Sequence, residues 1–192
     1  MWRGLVLGGS ALALALVGSA MPEEKPGPVE AGAKGSAHKF VGVANCKLCH
    51  ADDATGNQYE QWKKSKHAGA LKTLSSPGAK EIGAKLGISD PSKDLKCLRC
   101  HVTGAEAPKS RKARTFKESD AVGCESCHGA GELYAKEEVF KQGKEAAVKL
   151  GLIEPTEQIC LGCHNKESPT FKEFDFKKRF EEVKHPNPKL KK

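Results

Sequence analysis

Five side chains between residues 58 and 74 recur at i, i+4 and i+7 spacing, which is the spacing of one face of a helix. This pattern predicts a helix over residues 58–74 of the 192-residue chain. We expect the run Ser75-Ser76-Pro77-Gly78 to end it, and a second short helix over residues 79–86 to stop at Gly87. The face of the first helix is formed by Tyr59, Lys63, His67, Leu71 and Leu74.

Two later segments are amphipathic as well. Residues 132–150 predict a helix that stops at Gly151. Residues 176–183 predict another, which ends before Pro186 because the residue ahead of a proline resists helical geometry. A short helix is also expected after Thr156, whose side chain is a reasonable N-cap. Short helices joined by turns, with little room for strands, predict a mostly α fold.

The amino-terminal residues have the pattern of an export signal. A positive region at residues 1–3 is followed by an apolar run at 5–17 and by small residues at 18–20. We therefore predict that a signal peptide is removed after Ala20 and that the protein is periplasmic. The apolar run is shorter than the roughly 20 residues that span a bilayer. No membrane span is expected once it has been removed.

The rest of the chain divides at about residue 38. Residues 21–37 are rich in Pro, Gly and Lys and lack apolar periodicity, which predicts a disordered tether. Residues 38–192 have the length of one domain. With 38% hydrophobic and 29% charged residues, the chain has little material for a side-chain core.

Every one of the eight cysteines belongs to a Cys-x-x-Cys-His motif, whereas composition alone would give roughly 0.01 such motif per chain. Two thiols at this spacing add to the vinyl groups of a haem, and the adjacent imidazole binds the iron. The sequence therefore predicts four covalently bound c-type haems, with short helices and loops wrapped around them. The first to fourth motifs are Cys46-Lys47-Leu48-Cys49-His50, Cys97-Leu98-Arg99-Cys100-His101, Cys124-Glu125-Ser126-Cys127-His128 and Cys160-Leu161-Gly162-Cys163-His164.

Zinc sites and disulfides are the alternatives for paired cysteines. Neither requires a histidine directly after the second cysteine. Zinc knuckles also gather two half-sites close together, whereas the motifs here start 51, 27 and 36 residues apart. Both alternatives are therefore disfavoured.

The second axial ligand of each iron has to come from elsewhere. Methionine is nearly excluded, because Met1 leaves with the signal peptide and Met21 then becomes the terminus. Three histidines lie outside the motifs, so bis-histidine haems of low potential are expected at three irons. One haem is left five-coordinate and open to a small ligand, unless Tyr134, a lysine or water fills the position. The candidate distal ligands are His38, His67 and His185.

The motifs and their surroundings resemble those of the cytochrome c-554 family, over most of residues 38–185. That family is known for a tetrahaem electron carrier that accepts electrons from hydroxylamine oxidoreductase. The resemblance rests on four stretches beyond the bare cysteine spacing. They are Tyr59-Glu-x-Trp62-x-x-Ser65-Lys66-His67-Ala68, Cys100-His101-Val102-Thr103-Gly104, Val122-Gly123-Cys124-Glu125-Ser126-Cys127-His128-Gly129, and Phe174-x-Phe176 with Val183-Lys184-His185.

The resemblance implies a mostly helical fold with haems packed in pairs. It also implies that His67 faces the haem of the third motif, that His185 faces the haem of the fourth, and that the second haem is five-coordinate. Family members often carry a histidine shortly after Cys-His-Gly-x-Gly as distal ligand of the first haem, but Glu132-Leu133-Tyr134 stands there in this chain. We therefore assign His38 to the first haem.

Charge bears on the partners. The formal charge of +8 falls to +7 when Arg3 leaves with the signal peptide, and ionised haem propionates reduce it to roughly +3. Without aromatic residues interleaved among the basic ones, a nucleic-acid partner is not expected. A redox donor and acceptor with acidic docking surfaces fit better. We predict an electron carrier rather than an enzyme. The alternatives are a small reductase of nitrite, nitric oxide or hydroxylamine at the open haem, and a structural subunit of a multihaem conduit.

Overall fold

The structure is a computed structural model that describes Met1 and residues 38–188. This part of the chain contains short α-helices and 3-10 turns but no strand, so the predicted mostly α fold is confirmed. None of its helices is long and apolar enough to cross a bilayer. The predicted signal peptide and tether lie outside the described residues, apart from Met1. The helices are α1 (Val43–His50), α2 (Gln58–Lys63), α3 (Ala70–Thr73), α4 (Pro77–Lys85), α5 (Leu95–His101), α6 (Glu125–His128), α7 (Glu137–Gln142), α8 (Lys144–Lys149), α9 (Glu157–Leu161) and α10 (Phe176–Val183).

Two helices begin at side chains that cap them, although the one cap predicted from the sequence, Thr156, makes no capping hydrogen bond at the start of α9. The Ser76 hydroxyl accepts a hydrogen bond from the Ala79 N–H at 3.2 Å and starts α4. The Asp175 carboxylate accepts one from the Lys178 N–H at 3.1 Å and starts α10. Such caps satisfy N–H groups that have no partner within the helix. The predictions for these two segments hold to within two residues.

The helix predicted over residues 58–74 is broken in the middle. Turns at residues 64–69 separate α2 from α3. Two hydrogen bonds attach this region to Val122. The Trp62 indole donates to the Val122 carbonyl at 2.8 Å, and the Val122 N–H donates to the His67 carbonyl at 3.3 Å. Because His67 lies on a turn, it does not share a continuous helix face with its neighbours in sequence.

The helix predicted over residues 132–150 is also divided. Gly143 adopts a φ of +91°, a conformation that residues with a β-carbon rarely take, and it separates α7 from α8. Val139 is buried and attaches α7 to the body of the protein. The prediction was therefore right about helix but wrong about its continuity.

Side chains alone form only a small core. Phe40 is almost fully buried and packs against the Phe116 ring with centroids 6.2 Å apart. A parallel bridge pairs Phe40 with Lys112 and fixes this amino-terminal segment. Such a core is small for the length of chain described, which leaves interior contacts for bulky cofactors to make. The buried hydrophobic residues are Phe40, Val43, Leu74, Ile88, Val102, Ala121, Ala130 and Val139.

A buried carboxylate joins the first motif to the third. Glu125 is only 3% exposed. One of its oxygens accepts from the Val41 and Gly131 N–H groups at 2.8 and 2.7 Å, and the other from the Gly42 N–H at 2.8 Å. Burial raises the pKa of Glu125, while the three N–H donors oppose that shift. The segment that leads into α1 is thereby attached to the loops around the third motif.

A threonine makes the equivalent link from the second motif to the third. The Thr103 hydroxyl accepts from the Gly123 N–H at 2.8 Å and donates to the Ala121 carbonyl at 3.0 Å. It also lies 2.7 Å from the Ser126 hydroxyl inside the third motif. The third motif therefore has direct bonds to the surroundings of two others.

Replacing Glu125 with glutamine should destabilise the protein by about 2–4 kcal/mol. The amide would turn a donor toward a backbone N–H and leave it unsatisfied. Denaturant unfolding of the holoprotein measures the change. The control is Glu173→Gln, since Glu173 is exposed and should tolerate the change within about 0.5 kcal/mol. Equal stabilities of the two variants would contradict the role of Glu125.

Candidate haem-binding site

Each motif forms a helical turn that brings its histidine next to its first cysteine. In the third motif the His128 N–H donates to the Cys124 carbonyl at 3.0 Å, and in the fourth the His164 N–H donates to the Cys160 carbonyl at 2.9 Å. The first and second motifs lie within α1 and α5. This geometry places two thiols and an imidazole on one side of a short turn, as covalent attachment of a haem requires.

Cysteines of different motifs contact each other in two places. The Cys46 thiol hydrogen-bonds with the Cys124 thiol, which raises the pKa of Cys46 and lowers that of Cys124. The Cys100 and Cys163 thiols interact in the same way, with the pKa of Cys100 lowered. The first motif is thus adjacent to the third, and the second is adjacent to the fourth.

Two pairs of imidazoles stand at the spacing that a shared metal ion would need. The rings of His67 and His164 have centroids 6.1 Å apart, and those of His128 and His185 are also 6.1 Å apart. Two imidazoles on opposite sides of one ion, each bound at about 2 Å, have ring centres roughly 6 Å apart. Both pairs consist of one motif histidine and one histidine from outside the motifs.

The pairing differs from the one that the resemblance implied. His67 lies beside His164 of the fourth motif, not beside the third, and His185 lies beside His128 of the third motif, not beside the fourth. The assignment of distal ligands stays a prediction, and the ring positions support the exchanged pairing. His67 lies in the turn at residues 64–69, between α2 and α3.

Several histidines use Nδ1 for a hydrogen bond to an oxygen, which leaves Nε2 for a metal ion. Partners of this kind fix the ring orientation and raise the basicity of a ligand. The described contacts are His50 with the Gln58 amide oxygen at 3.1 Å, His101 with the Ala70 carbonyl at 2.7 Å, His128 with the Ile153 carbonyl at 3.0 Å and His185 with the Val183 carbonyl at 2.8 Å.

Three of the paired histidines have lowered pKa values. Burial is the main cause that lowers the pKa of His67, His128 and His164. The neighbouring imidazole lowers the pKa of His67 and His128 further. A metal ion needs a neutral imidazole, so these environments favour ligation over protonation. The Phe174 ring stacks on His164 at 4.7 Å and adds to its burial.

Within the described residues, one buried side-chain nitrogen has no hydrogen-bond partner. Arg99 donates from Nη2 to Glu167 at 2.6 Å, but its Nε is buried without a hydrogen bond. A propionate of a bound haem would satisfy that group. Arg99 and Glu125 occupy x positions of their motifs, for which the motif prescribes no residue type. Their charge was the only signal in the sequence that could have identified them.

The alternative chemistries find less support. No disulfide joins the eight cysteines, which all lie within the described residues, and in the same residues no group of three or more His, Cys, Asp or Glu is arranged to hold a metal ion by itself. The Tyr134 hydroxyl donates to the Gly129 carbonyl at 2.6 Å and lies 3.1 Å from that of His128. Burial raises the pKa of Tyr134, so this phenol is a poor candidate for an iron ligand.

Turns that present two thiols and an oriented histidine define a c-type cytochrome. The family model for cytochrome c554 and c-prime matches residues 45–129. Cytochrome c-554 of Nitrosomonas europaea is 31% identical over 147 residues, which cover 65% of this chain and 57% of that protein. The solved structure of the reduced state of cytochrome c554 from Nitrosomonas europaea matches with a TM-score of 0.54 and 26% identity, over 79% of this chain and 86% of that one. The chain is therefore similar to the cytochrome c-554 family.

The resemblance that the motifs indicated is therefore confirmed, and with it c-type haem as the cofactor. The chain spans 57% of the length of the curated relative. The roles of the individual cysteines and histidines stay predictions, which the geometry above supports to different degrees.

Replacing His67 or His185 with alanine should convert one haem from low to high spin in each variant, because each change removes one distal imidazole. The double variant should convert two. EPR of the ferric protein counts these centres. Lys64→Ala, a change of an exposed residue in the same turn as His67, should leave the count unchanged. Full retention of low-spin haem in either histidine variant would contradict the pairing.

Proposed function

We propose that this chain is an exported, periplasmic electron carrier that holds four covalent haems through its four motifs. Similarity to a cytochrome family supports the cofactor, and the four complete motifs support the number. The resemblance to an export signal at residues 1–20 supports the compartment. When bound, the haems would supply reversible one-electron chemistry, and the protein would set their spacing and axial ligands.

The observation that carries this proposal is the continuous series of contacts between motifs. Cys46 adjoins Cys124, so the first motif neighbours the third. Cys127 is close enough to Cys160 of the fourth motif for that thiol to raise its pKa. Cys163 in turn adjoins Cys100 of the second motif. The motifs would accordingly hold neighbouring haems in the order first, third, fourth, second.

The protein residues have two tasks in this scheme. The motif turns and paired histidines hold the irons at fixed positions, so that little reorganises when an electron arrives. Glu125 and Thr103 keep neighbouring motifs in register. Nothing in these tasks requires a general base or a nucleophile, which favours a carrier over a reductase. The second haem, that of His101, is proposed to be five-coordinate.

The partners proposed are a redox donor and a redox acceptor with acidic docking surfaces. The chain carries 32 Lys and Arg against 24 Asp and Glu. Many of the lysines are exposed and in ion pairs only with neighbours along the same helix, such as Lys85 with Glu81 and Lys141 with Glu137. Exposed pairs of that kind contribute little to stability, so these charges are available for steering a partner.

Intact-mass spectrometry should show a chain that begins at Met21 and carries four haems. Replacing Cys97 and Cys100 together with alanine should lower the count to three, because both thioether bonds of one haem are lost. Wild-type protein with free thiols at any motif, or with zinc in place of haem, would contradict the proposal.

Electron transfer from the physiological donor should slow as salt rises. Screening shortens to about 10 Å at 0.1 M ionic strength, so steering between a basic carrier and an acidic partner weakens. Stopped-flow rates measured at several salt concentrations test this expectation. Rates that stay flat would indicate an apolar interface instead.

A further inference from the structure

An aromatic ring faces the histidine of the first motif at the spacing of an axial ligand. The Phe140 and His50 rings have centroids 6.3 Å apart and lie almost perpendicular, at 87°. The two histidine pairs have nearly the same separation, 6.1 Å. The ring of Phe140 is therefore almost as far from His50 as the ring of His67 is from His164. A phenyl ring, however, has no lone pair to give to a metal ion.

The orientation of His50 supports this comparison. Its Nδ1 lies 3.1 Å from the Gln58 amide oxygen, so Nε2 is the nitrogen left for an iron. The position of Phe140 is fixed by its helix, α7. The neighbouring Val139 is 5% exposed and anchors α7, and the Phe140 N–H donates to the Lys136 carbonyl at 3.0 Å.

The Phe140 side chain offers apolar surface that a bound haem would cover. It is 47% exposed, which is high for a phenylalanine on a helix whose adjacent residue is in the core. A porphyrin between Phe140 and His50 would cover part of that apolar surface. The segment also comes directly after the third motif, whose Cys124 contacts Cys46 of the first. Helix α7, which follows the third motif in the chain, therefore lies next to the first motif.

Two other candidates for the sixth position of the first haem have contacts outside the first motif. His38 has its Nδ1 4.0 Å from a carboxylate oxygen of Glu132. The Tyr134 hydroxyl donates to the Gly129 carbonyl.

We propose that the first haem is five-coordinate and that Phe140, not His38, covers its distal face. This inference rests on the proposed function, because it needs a haem on Cys46 and Cys49. With only 6.3 Å between the two ring centroids, the phenyl ring would also keep other ligands away from the iron bound to His50.

The test compares wild-type protein with three variants, Phe140→His, Phe140→Leu and His38→Ala. Peptide mass spectrometry first establishes that the peptide of Cys46 and Cys49 carries haem. High-spin ferric haem is then counted by EPR. Phe140→His should lose one high-spin centre relative to wild type, because an imidazole replaces the phenyl ring. Phe140→Leu and His38→Ala should keep the wild-type count.

Two results would overturn the inference. One is a His38→Ala protein with one more high-spin haem than wild type, which would make His38 the ligand. The other is a Phe140→His protein with the wild-type count. A peptide of Cys46 and Cys49 without haem would overturn the proposed function, and this inference with it.

Discussion

The carboxylate of Glu125 accepts three backbone N–H bonds from segments on either side of the first and third motifs. A buried charge of this kind is tolerable only when it is fully hydrogen-bonded, so the segments around it have little freedom to move. Thr103 extends the same arrangement to the second motif. The relative positions of three motifs, and hence of the groups they would carry, depend on these two side chains.

The position of the histidines follows from that arrangement. Val122, two residues before the third motif, holds the turn that carries His67. His67 then reaches the fourth motif, while His185 comes back from the carboxyl-terminal end to the third. Residues far apart in sequence are thereby paired at the spacing of a shared ion. The small side-chain core is compatible with a fold in which cofactors supply much of the buried apolar surface.

Local chemistry was predictable from the sequence, and long-range geometry was not. The motifs and the helical character of each segment depend on neighbours within a few residues. The turn at residues 64–69 has hydrogen bonds to Val122, and the histidine pairs join residues that are far apart in the sequence. The division at Gly143 could have been anticipated from the glycine itself, but the approach of Phe140 to His50 could not. That contact requires α7 to be brought to a motif about 90 residues earlier.

A crystal structure of the holoprotein, with anomalous scattering recorded at the iron edge, tests the central claim most directly. Our account predicts four iron peaks, with one between the Nε2 atoms of His67 and His164 and another between those of His128 and His185. Iron between His67 and His128, or between His185 and His164, would contradict it.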